Sequence, residues 1–461
     1  MTDSAPPESV LRLFRDEDER AEALRDRMHS PLCGVLTSMG FLSRTRYGAR
    51  MLIASGDLTG VHVLQDQPPP RPGSFHLGGS GTVPFESHIR VLAESLERYA
   101  GHAVVAEGRF PVRRCSWDEL RRDGEPCLPA EAFRLFSAEQ YARAGFPFQA
   151  FSADAPVGWI LLPSLLDGGR CWLPAQWFLI GHVPHAEELW LQSAVTTGTA
   201  AHTDPGRALC SALEEVVQLD SAVGHWHGTG RSVRIGWDAR TRLLERVLRR
   251  HFADLPGEPE FHLLPNADLP GFSVACLLRQ PEGLVPRIAI GLGSGAKLVP
   301  TMYRALLEAA GVQWLACWVA VQERAESAGS TGSGSGSGAS ATDSFYDLET
   351  NVGHYAGEQG SEVVERRFAD CDSASASDLP ADHEGGPREL VRRTVDAFRA
   401  TGKRLYWADL STTDIASLGF SVQRVWSPDT LSLPLPSAPP ALHPRFEQYG
   451  GFRGHAPHPY P

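Results

Sequence analysis

The sequence has few cysteines, no long apolar run and no surplus of basic charge. Its eight cysteines, Cys33, Cys115, Cys127, Cys171, Cys210, Cys276, Cys317 and Cys371, are scattered over 461 residues, none at Cys-x-x-Cys spacing. That dilution excludes a dense disulfide framework and a clustered zinc site, and it reads as the reduced thiols of a cytoplasmic protein. The longest apolar stretches are Trp159–Leu162, stopped by Pro163, and Val312–Val321. Both fall short of the ~18 residues that a spanning helix takes, so no membrane span is expected. Met1-Thr2-Asp3-Ser4 offers neither the basic flank nor the apolar stretch of a secretory signal. Lysine and arginine number 43 against 55 aspartates and glutamates, a formal net charge of -12. Without clustered basic residues, nucleic-acid binding is not expected. There is no Gly-Lys-Ser/Thr phosphate loop and no Gly-x-Ser-x-Gly nucleophile elbow.

Hydrophobic residues at 42% and charged residues at 21% are the proportions of a folded protein and exclude a mostly disordered chain. This length admits up to three modules of roughly 150 residues, or one large α/β or α+β domain. Residues 1–30 read as a polar helical lead-in with sparse apolar points at Leu11, Leu13, Phe14 and Leu24. Val61–Leu64 reads as a short strand, and Pro68–Pro72 as a break. His76–Gly81 then precedes a helical pattern from Pro84 to Ala100, with Phe85, Ile89, Leu92, Leu96 and Tyr99 on its buried face. Arg90, Glu94, Glu97 and Arg98 fall on another face of that helix. A second helix is expected over Pro205–Val223, capped by Asp204 with Pro205 in its first turn. A third, over Thr301–Ala310, follows a strand at Arg287–Leu292 and the loop Gly293–Lys297. The Gly/Ser-rich stretch 325–343 has the composition of a flexible loop inside one domain. From Pro428 onward nine prolines exclude regular helix and central strand, so this tail is expected to run extended over the surface or into a groove.

Several residue sets bear on chemistry. Gly78–Gly81 ahead of a helix suits either a phosphate cradle or a tight turn. Gly291-x-Gly293-x-x-Ala296 lacks the acidic residue that a dinucleotide fold places about 20 residues on, and a Rossmann site is not favoured. Glu94 and Glu97 stand three apart on one helix, and Glu215 and Gln218 repeat the spacing on another. Two such pairs can together hold Mg²⁺, a hard cation that takes oxygen ligands and bridges phosphates; the same spacing also serves a solvated helix face. His182-x-x-His185 and His225-x-His227 read as core or surface histidines rather than as a metal site.

Four segments taken in order carry a resemblance. Gly78-Gly79-Ser80-Gly81 leads into Leu92-Ala93-Glu94-Ser95-Leu96-Glu97-Arg98-Tyr99. Gly198-Thr199-Ala200-Ala201 precedes a helix ending Leu213-Glu214-Glu215-Val216-Val217-Gln218-Leu219-Asp220, with His225-Trp226-His227 beyond. Gly291-Leu292-Gly293 is followed by Arg304-Ala305-Leu306-Leu307-Glu308, and the end reads Pro457-His458-Pro459-Tyr460-Pro461. Together they resemble the YcaO superfamily, specifically the cyclodehydratases that install azolines in ribosomal peptides. The first two segments are similar to its ATP motifs, and the last to the Pro-x-Pro-x-Pro ending of its azoline-forming members.

The resemblance implies an α+β YcaO fold over residues 30–461, with mixed or antiparallel sheets and the motif helices around an ATP cleft, behind a polar extension at 1–29. It implies ATP and Mg²⁺ as cofactors and a reaction in which a Cys, Ser or Thr side chain of a precursor peptide attacks the preceding carbonyl. The oxyanion is phosphorylated and phosphate leaves, giving a thiazoline or oxazoline. Glu94, Glu97 and Glu215 would bind Mg²⁺ or phosphates, with Gln218 a weaker ligand through its carbonyl oxygen. Arg98 would sit beside the nucleotide, and Thr203 stands where the family has an amide residue. The Pro461 carboxylate would assist proton transfer. The chain departs from the pattern at Gln218 for Glu, Leu219 for Arg and Arg90 for Ser. A leader-binding or ubiquitin-activating-like module is not evident, so a separate partner protein is expected to present the peptide, and a homodimer stays open. A thioamide-forming enzyme and a catalytically weak scaffold subunit are the other readings.

Overall fold

The computed structural model describes residues 15–42, 48–65, 76–329, 346 and 348–460. The helices among them are α1 (Arg15–Met28), α2 (Pro84–Ala106), α3 (Trp117–Arg122), α4 (Ala138–Tyr141), α5 (Ala175–Phe178) and α6 (Pro205–His227). They continue with α7 (Arg242–His251), α8 (Leu298–Gly329), α9 (Leu348–Ala356), α10 (Glu358–Ala369), α11 (Pro387–Ala400) and α12 (Thr413–Ser417). The expected proline starts hold. Pro84 opens α2, and at α6 the Asp204 side chain accepts from the Arg207 N–H at 2.9 Å, satisfying one orphan donor of the first turn. Gly228 lies at the C-cap of α6.

Strands β1 (Leu36–Leu42), β2 (Leu52–Leu58) and β3 (His76–Gly81) form an antiparallel meander. A second sheet joins β4 (Arg113–Ser116), β5 (Pro156–Pro163) and β6 (Arg170–Pro174). Strand β7 (Thr199–His202) pairs with β14 (Ser421–Trp426), which pairs with β13 (Tyr406–Asp409). The largest sheet runs β11-β10-β9-β8-β12, from β8 (Ser232–Gly236), β9 (Glu260–Leu263), β10 (Phe272–Arg279), β11 (Ile288–Gly295) and β12 (Cys371–Ser375). Its β12–β8 pair is parallel and the rest antiparallel, so the α+β expectation holds.

Two glycine runs differ from expectation for one reason. Gly78–Gly81 is not a turn but the body of β3, and Gly291 and Gly293 lie within β11. A Cβ on Gly79 would stand 2.4 Å from the Ser87 carbonyl of α2, and one on Gly291 would stand 2.0 Å from the Ala309 amide of α8. These glycines let a helix lie directly on a strand, the close approach that only a missing side chain permits. Other elements differ too. Val61–Gln65 is a 3₁₀ turn rather than a strand, closed by the Val63 N–H donating to the Gly60 carbonyl; β-branched residues favour strands only where a neighbouring strand offers pairing. The third helix is longer than expected, and residues 298–322 make it long and apolar enough, by length and composition alone, to cross a membrane. Its first half is a core helix, with Met302, Ala305, Leu306 and Ala309 sealed against Val274, Cys276 and Ala289 of the large sheet. The Gly/Ser stretch begins inside α8, and most of it lies outside the described residues. All eight cysteines are free.

The proline-rich tail is neither helix nor central strand, apart from one 3₁₀ segment at Pro444–Tyr449, and it takes the groove rather than the surface. Its anchor is Asp220 on α6. Arg445 Nε donates to both Asp220 oxygens at 3.0 Å, the Tyr449 hydroxyl donates at 2.8 Å, and the Leu431 N–H at 2.8 Å. The Asp220 and Arg445 side chains are 0% and 1% exposed, so each is the other's replacement for water. Asp220→Asn is expected to lower unfolding free energy by about 3–5 kcal/mol, because it leaves the buried Arg445 cation with Asp268 as its remaining carboxylate partner among the described residues. A urea titration reads this, and a loss below ~1 kcal/mol, the size of an exposed pair, would contradict it.

Candidate functional site

Four carboxylates from three helices meet. Glu94 and Glu97 rise from α2, Glu215 from α6, and Glu308 from α8, two turns into the stretch that lies on β11. Each first-listed trio member is held by a backbone N–H. Gly78 of β3 donates to Glu94 Oε2 at 3.0 Å, Ala201 of β7 to Glu97 Oε1 at 2.7 Å, and Gly198 to Glu215 Oε2 at 3.0 Å. The strands thus fix one oxygen of each carboxylate and leave lone pairs for another partner.

All four side chains are half-buried, enclosed by protein while part of their surface stays open. Enclosure and mutual repulsion push the carboxyls upward. Glu97 is held well above the usual carboxylate range by burial first and by Glu215 second, against the lowering effect of the Ala201 N–H. Glu215 is raised to about 7 by burial, opposed by the Gly198 N–H and by Arg424. Glu308 is raised to about 7 by burial, with Glu215 and Glu94 adding to the rise. Crowded acids of raised pKa in one place are a common mark of a functional site.

Cationic side chains border the cluster. Arg98 Nη2 lies 3.7 Å from Glu94 Oε1, and its charge also lowers Glu97 and Glu215. Arg304, one turn before Glu308, donates to the Ser294 carbonyl at 2.6 Å and lies 3.3 Å from Glu214. Among the described residues no three His, Cys, Asp or Glu side chains stand close enough to hold a metal ion unaided. Carboxylates that keep lone pairs beyond their N–H partners can serve Mg²⁺, which takes one or two carboxylates and completes its shell with waters and phosphate oxygens.

The other expected site residues divide. Gln218 lies one turn beyond Glu215 and is half-buried. Thr203 is exposed in the bend ahead of Asp204. Pro461 lies outside the described residues. The Gly78 N–H donates to Glu94, and Gly78–Gly81 lies in a strand rather than in a loop ahead of the helix. Two departures gain a physical reason: Leu219 packs in an apolar cluster with Ala222, Trp226 and Tyr460, and Arg90 pairs with Glu86 at 3.1 Å. His225 and His227 are buried core residues, and His185 is exposed. Sequence reasoning quoted Glu308 but gave it no role. The signal was its spacing: four residues after Arg304, on the helix that follows a glycine-bearing strand.

The chain's last described residues dock on the helix that carries Glu215. Tyr460 is 1% exposed, and its hydroxyl donates to the Ala222 carbonyl at 3.3 Å. Asn351 Nδ2 donates to the His458 carbonyl at 3.0 Å, the Tyr355 hydroxyl to Pro457, Trp226 Nε1 to Ala456 at 3.3 Å, and His227 Nδ1 to Gly454 at 3.0 Å. Ala222 is seven residues beyond Glu215, about 10 Å along a helix axis.

Residues 78–431 match a family model described as YcaO cyclodehydratase, ATP- and Mg²⁺-binding. Comparison with curated proteins returns no match. Among solved structures, a heterocyclase in complex with substrate and cofactor is 18% identical with a TM-score of 0.64, over 90% of this chain and 53% of that one. The chain thus spans about half the length of that heterocyclase. YcaO from Methanopyrus kandleri, bound with AMPPCP and Mg²⁺, is 16% identical with a TM-score of 0.56, over 92% and 91% of the two chains. The E. coli microcin synthetase McbBCD complex with pro-MccB17 bound gives 13% and 0.57, over 94% and 99%. At these identities the likeness is one of fold.

Glu97→Gln keeps an oxygen for the Ala201 N–H and removes the charge. Because burial raises the folded-state pKa, ionised Glu97 costs stability increasingly as pH climbs from the unfolded value of 4.5 through the folded one. The metal-free variant is therefore expected to be more stable than the parent by about 1 kcal/mol or more at about pH 8, and no more stable at about pH 4. It should also lose the thermal stabilisation that Mg²⁺ with AMPPCP gives the parent. A variant that is less stable at about pH 8, or that still responds fully to the nucleotide, would contradict the site.

Proposed function

Because the chain belongs to the YcaO cyclodehydratase family, we propose that it catalyses ATP-dependent cyclodehydration of a ribosomally made precursor peptide, closing Cys, Ser or Thr side chains to thiazolines or oxazolines. The observation that carries this reading is the meeting of Glu94, Glu97, Glu215 and Glu308 from three helices, with burial holding three of them high and neighbouring carboxylates adding to the rise at Glu97 and Glu308. We take residues 30–461 as the catalytic unit and 1–29 as an extension.

Glu94, Glu97, Glu215 and Glu308 would line the Mg²⁺ site and give an ion one or two carboxylates, the phosphates of ATP supplying further oxygens; Gln218 would add a neutral oxygen, while Arg98 and Arg304 would face those phosphates. The chemistry that bound Mg-ATP supplies is phosphorylation of the amide oxygen, which turns a poor leaving group into a good one. The chain's own part is positional and electrostatic. The N–H groups of Gly78, Gly198 and Ala201 fix the carboxylates before any ligand arrives, so little reorganisation accompanies binding. The docked tail brings the backbone leading to Pro461 onto α6, and the proton-transfer role of Pro461 rests on the sequence resemblance. Ordered residues hold it there: Asn351, Tyr355, Trp226 and His227 each take a carbonyl of residues 454–458.

The peptide would be presented by a separate partner protein in the cytoplasm, as the solved microcin synthetase complex combines several chains. The thioamide-forming alternative is separable by mass spectrometry, since each azoline removes the mass of one water. Removing Pro461 alone keeps the buried Tyr460. That variant, whose terminal carboxylate moves back one residue, is expected to form rings about 100-fold more slowly, the size of a misplaced acid-base group, while keeping its response to Mg²⁺ and AMPPCP. Ring formation at the parent rate would remove the tail from the mechanism.

A further inference from the structure

The sheet of β1, β2 and β3 ends at β1, which pairs with β2 alone among the named strands. The Leu36 carbonyl at its start takes the Ser30 N–H at 3.0 Å. From Thr37 to Leu42 its outer edge has no backbone partner among the described residues. Folded proteins blunt such an edge with charge, proline or a covering element, because unpaired N–H and C=O groups recruit another strand. Leu-Thr-Ser-Met-Gly-Phe-Leu has no charged residue and no proline. Its end is apolar and open instead, with Phe41 44% and Leu42 45% exposed. The pairing with β2 shifts register between Leu36 and Ser38 and is regular from Ser38 to Leu42, a stretch centred on Gly40.

Helix α1 flanks that edge. Met28 and Leu24 share an apolar cluster with Leu36 and Met39, and His29 bridges to Leu36. Further up the helix, Glu22 and Asp18 act on His88 of α2, whose ring lies 4.6 Å from the Phe41 ring. Helix α1 thus runs back along β1, with its last turn at the Leu36 end and its first turn toward the Leu42 end. The two ends differ in charge. Asp16, Glu17 and Asp18 stand in the first turn, Arg25 and Arg27 in the last. Asp16, Glu17 and Arg27 are exposed. One chain therefore carries both halves of a complementary surface, the condition for a two-fold contact in which each copy offers the same patch.

We propose that β1 pairs antiparallel with β1 of a second copy of this chain, Gly40 opposite Gly40, joining two three-stranded sheets into one. In that register Met39 meets the other copy's Phe41 and covers it, a favourable sulfur–aromatic contact, and Ser38 meets Leu42. The same axis sets the two α1 helices antiparallel, the acidic first turn of each toward the basic last turn of the other. No carboxylate of the Glu94 cluster takes part, so the inference stands apart from the cyclodehydratase reading. Light scattering on the full chain after size exclusion is expected to give twice the 50.2 kDa of one chain. Gly40→Lys sets like charges directly opposite one another and should weaken self-association at least about tenfold. Asp16→Lys with Glu17→Lys, and Arg25→Glu with Arg27→Glu, should each shift the protein to monomer at low salt. An equal mixture of these two variants should recover the dimer, since each then offers the charge that the other lacks. A parent of 50.2 kDa at every concentration would overturn the pairing and leave the edge to a strand of another protein. A dimer that Gly40→Lys leaves intact would overturn it too, as would charge variants that are folded by circular dichroism yet stay monomeric when mixed.

Discussion

Like charges held together in a half-buried place are the constraint on which this structure turns. Carboxylates shed water reluctantly and repel one another, so their assembly needs both a scaffold and a set of donors. The scaffold is three helices that meet only because strands lie unusually close to two of them. The donors are backbone N–H groups at Gly78 of β3, which lies on α2, and at Gly198 and Ala201 in and just before β7. A strand pressed onto a helix through glycine therefore positions the acids of α2 and α8, and β3 also supplies one of the donors.

Helix α6 joins the functions. Within one continuous helix it carries Glu215 toward the acids, Asp220 toward the tail, Ala222 and Trp226 beneath Tyr460, and His227 toward Gly454. The Gly198–Thr199 pair ahead of it touches Glu215 on one side and the buried Arg424 on the other. A displacement of α6 would be felt by the carboxylates and the tail at once. Such sharing of one rigid element is how a site keeps its parts in register without long flexible segments.

Helices α2 and α6 were legible because their signals are local: apolar residues at three- and four-residue steps, a proline in the first turn and an aspartate cap. Glu94, Glu97 and Glu215 were legible by spacing on those helices. The glycine runs misled because a glycine that accommodates a neighbouring helix looks the same in sequence as one that bends a loop. Glu308 lacked a role because its importance is tertiary; it becomes an acid of interest only when α8 is laid on β11 beside α2. Arg424 gave no sequence signal, being one arginine in a short strand of mixed polar and apolar residues. Val61–Leu64 carried strand residues without a strand to pair with, and only the fold supplies that information.

The central claim is that these acids form a magnesium and nucleotide site. Its most direct test is the anomalous scattering of Mn²⁺, in place of Mg²⁺, in crystals grown with AMPPCP. The account predicts manganese between the analogue's phosphates and oxygens of the cluster, with Glu97 or Glu215 among its ligands. Manganese and an ordered nucleotide bound elsewhere, with the four carboxylates untouched, would contradict it.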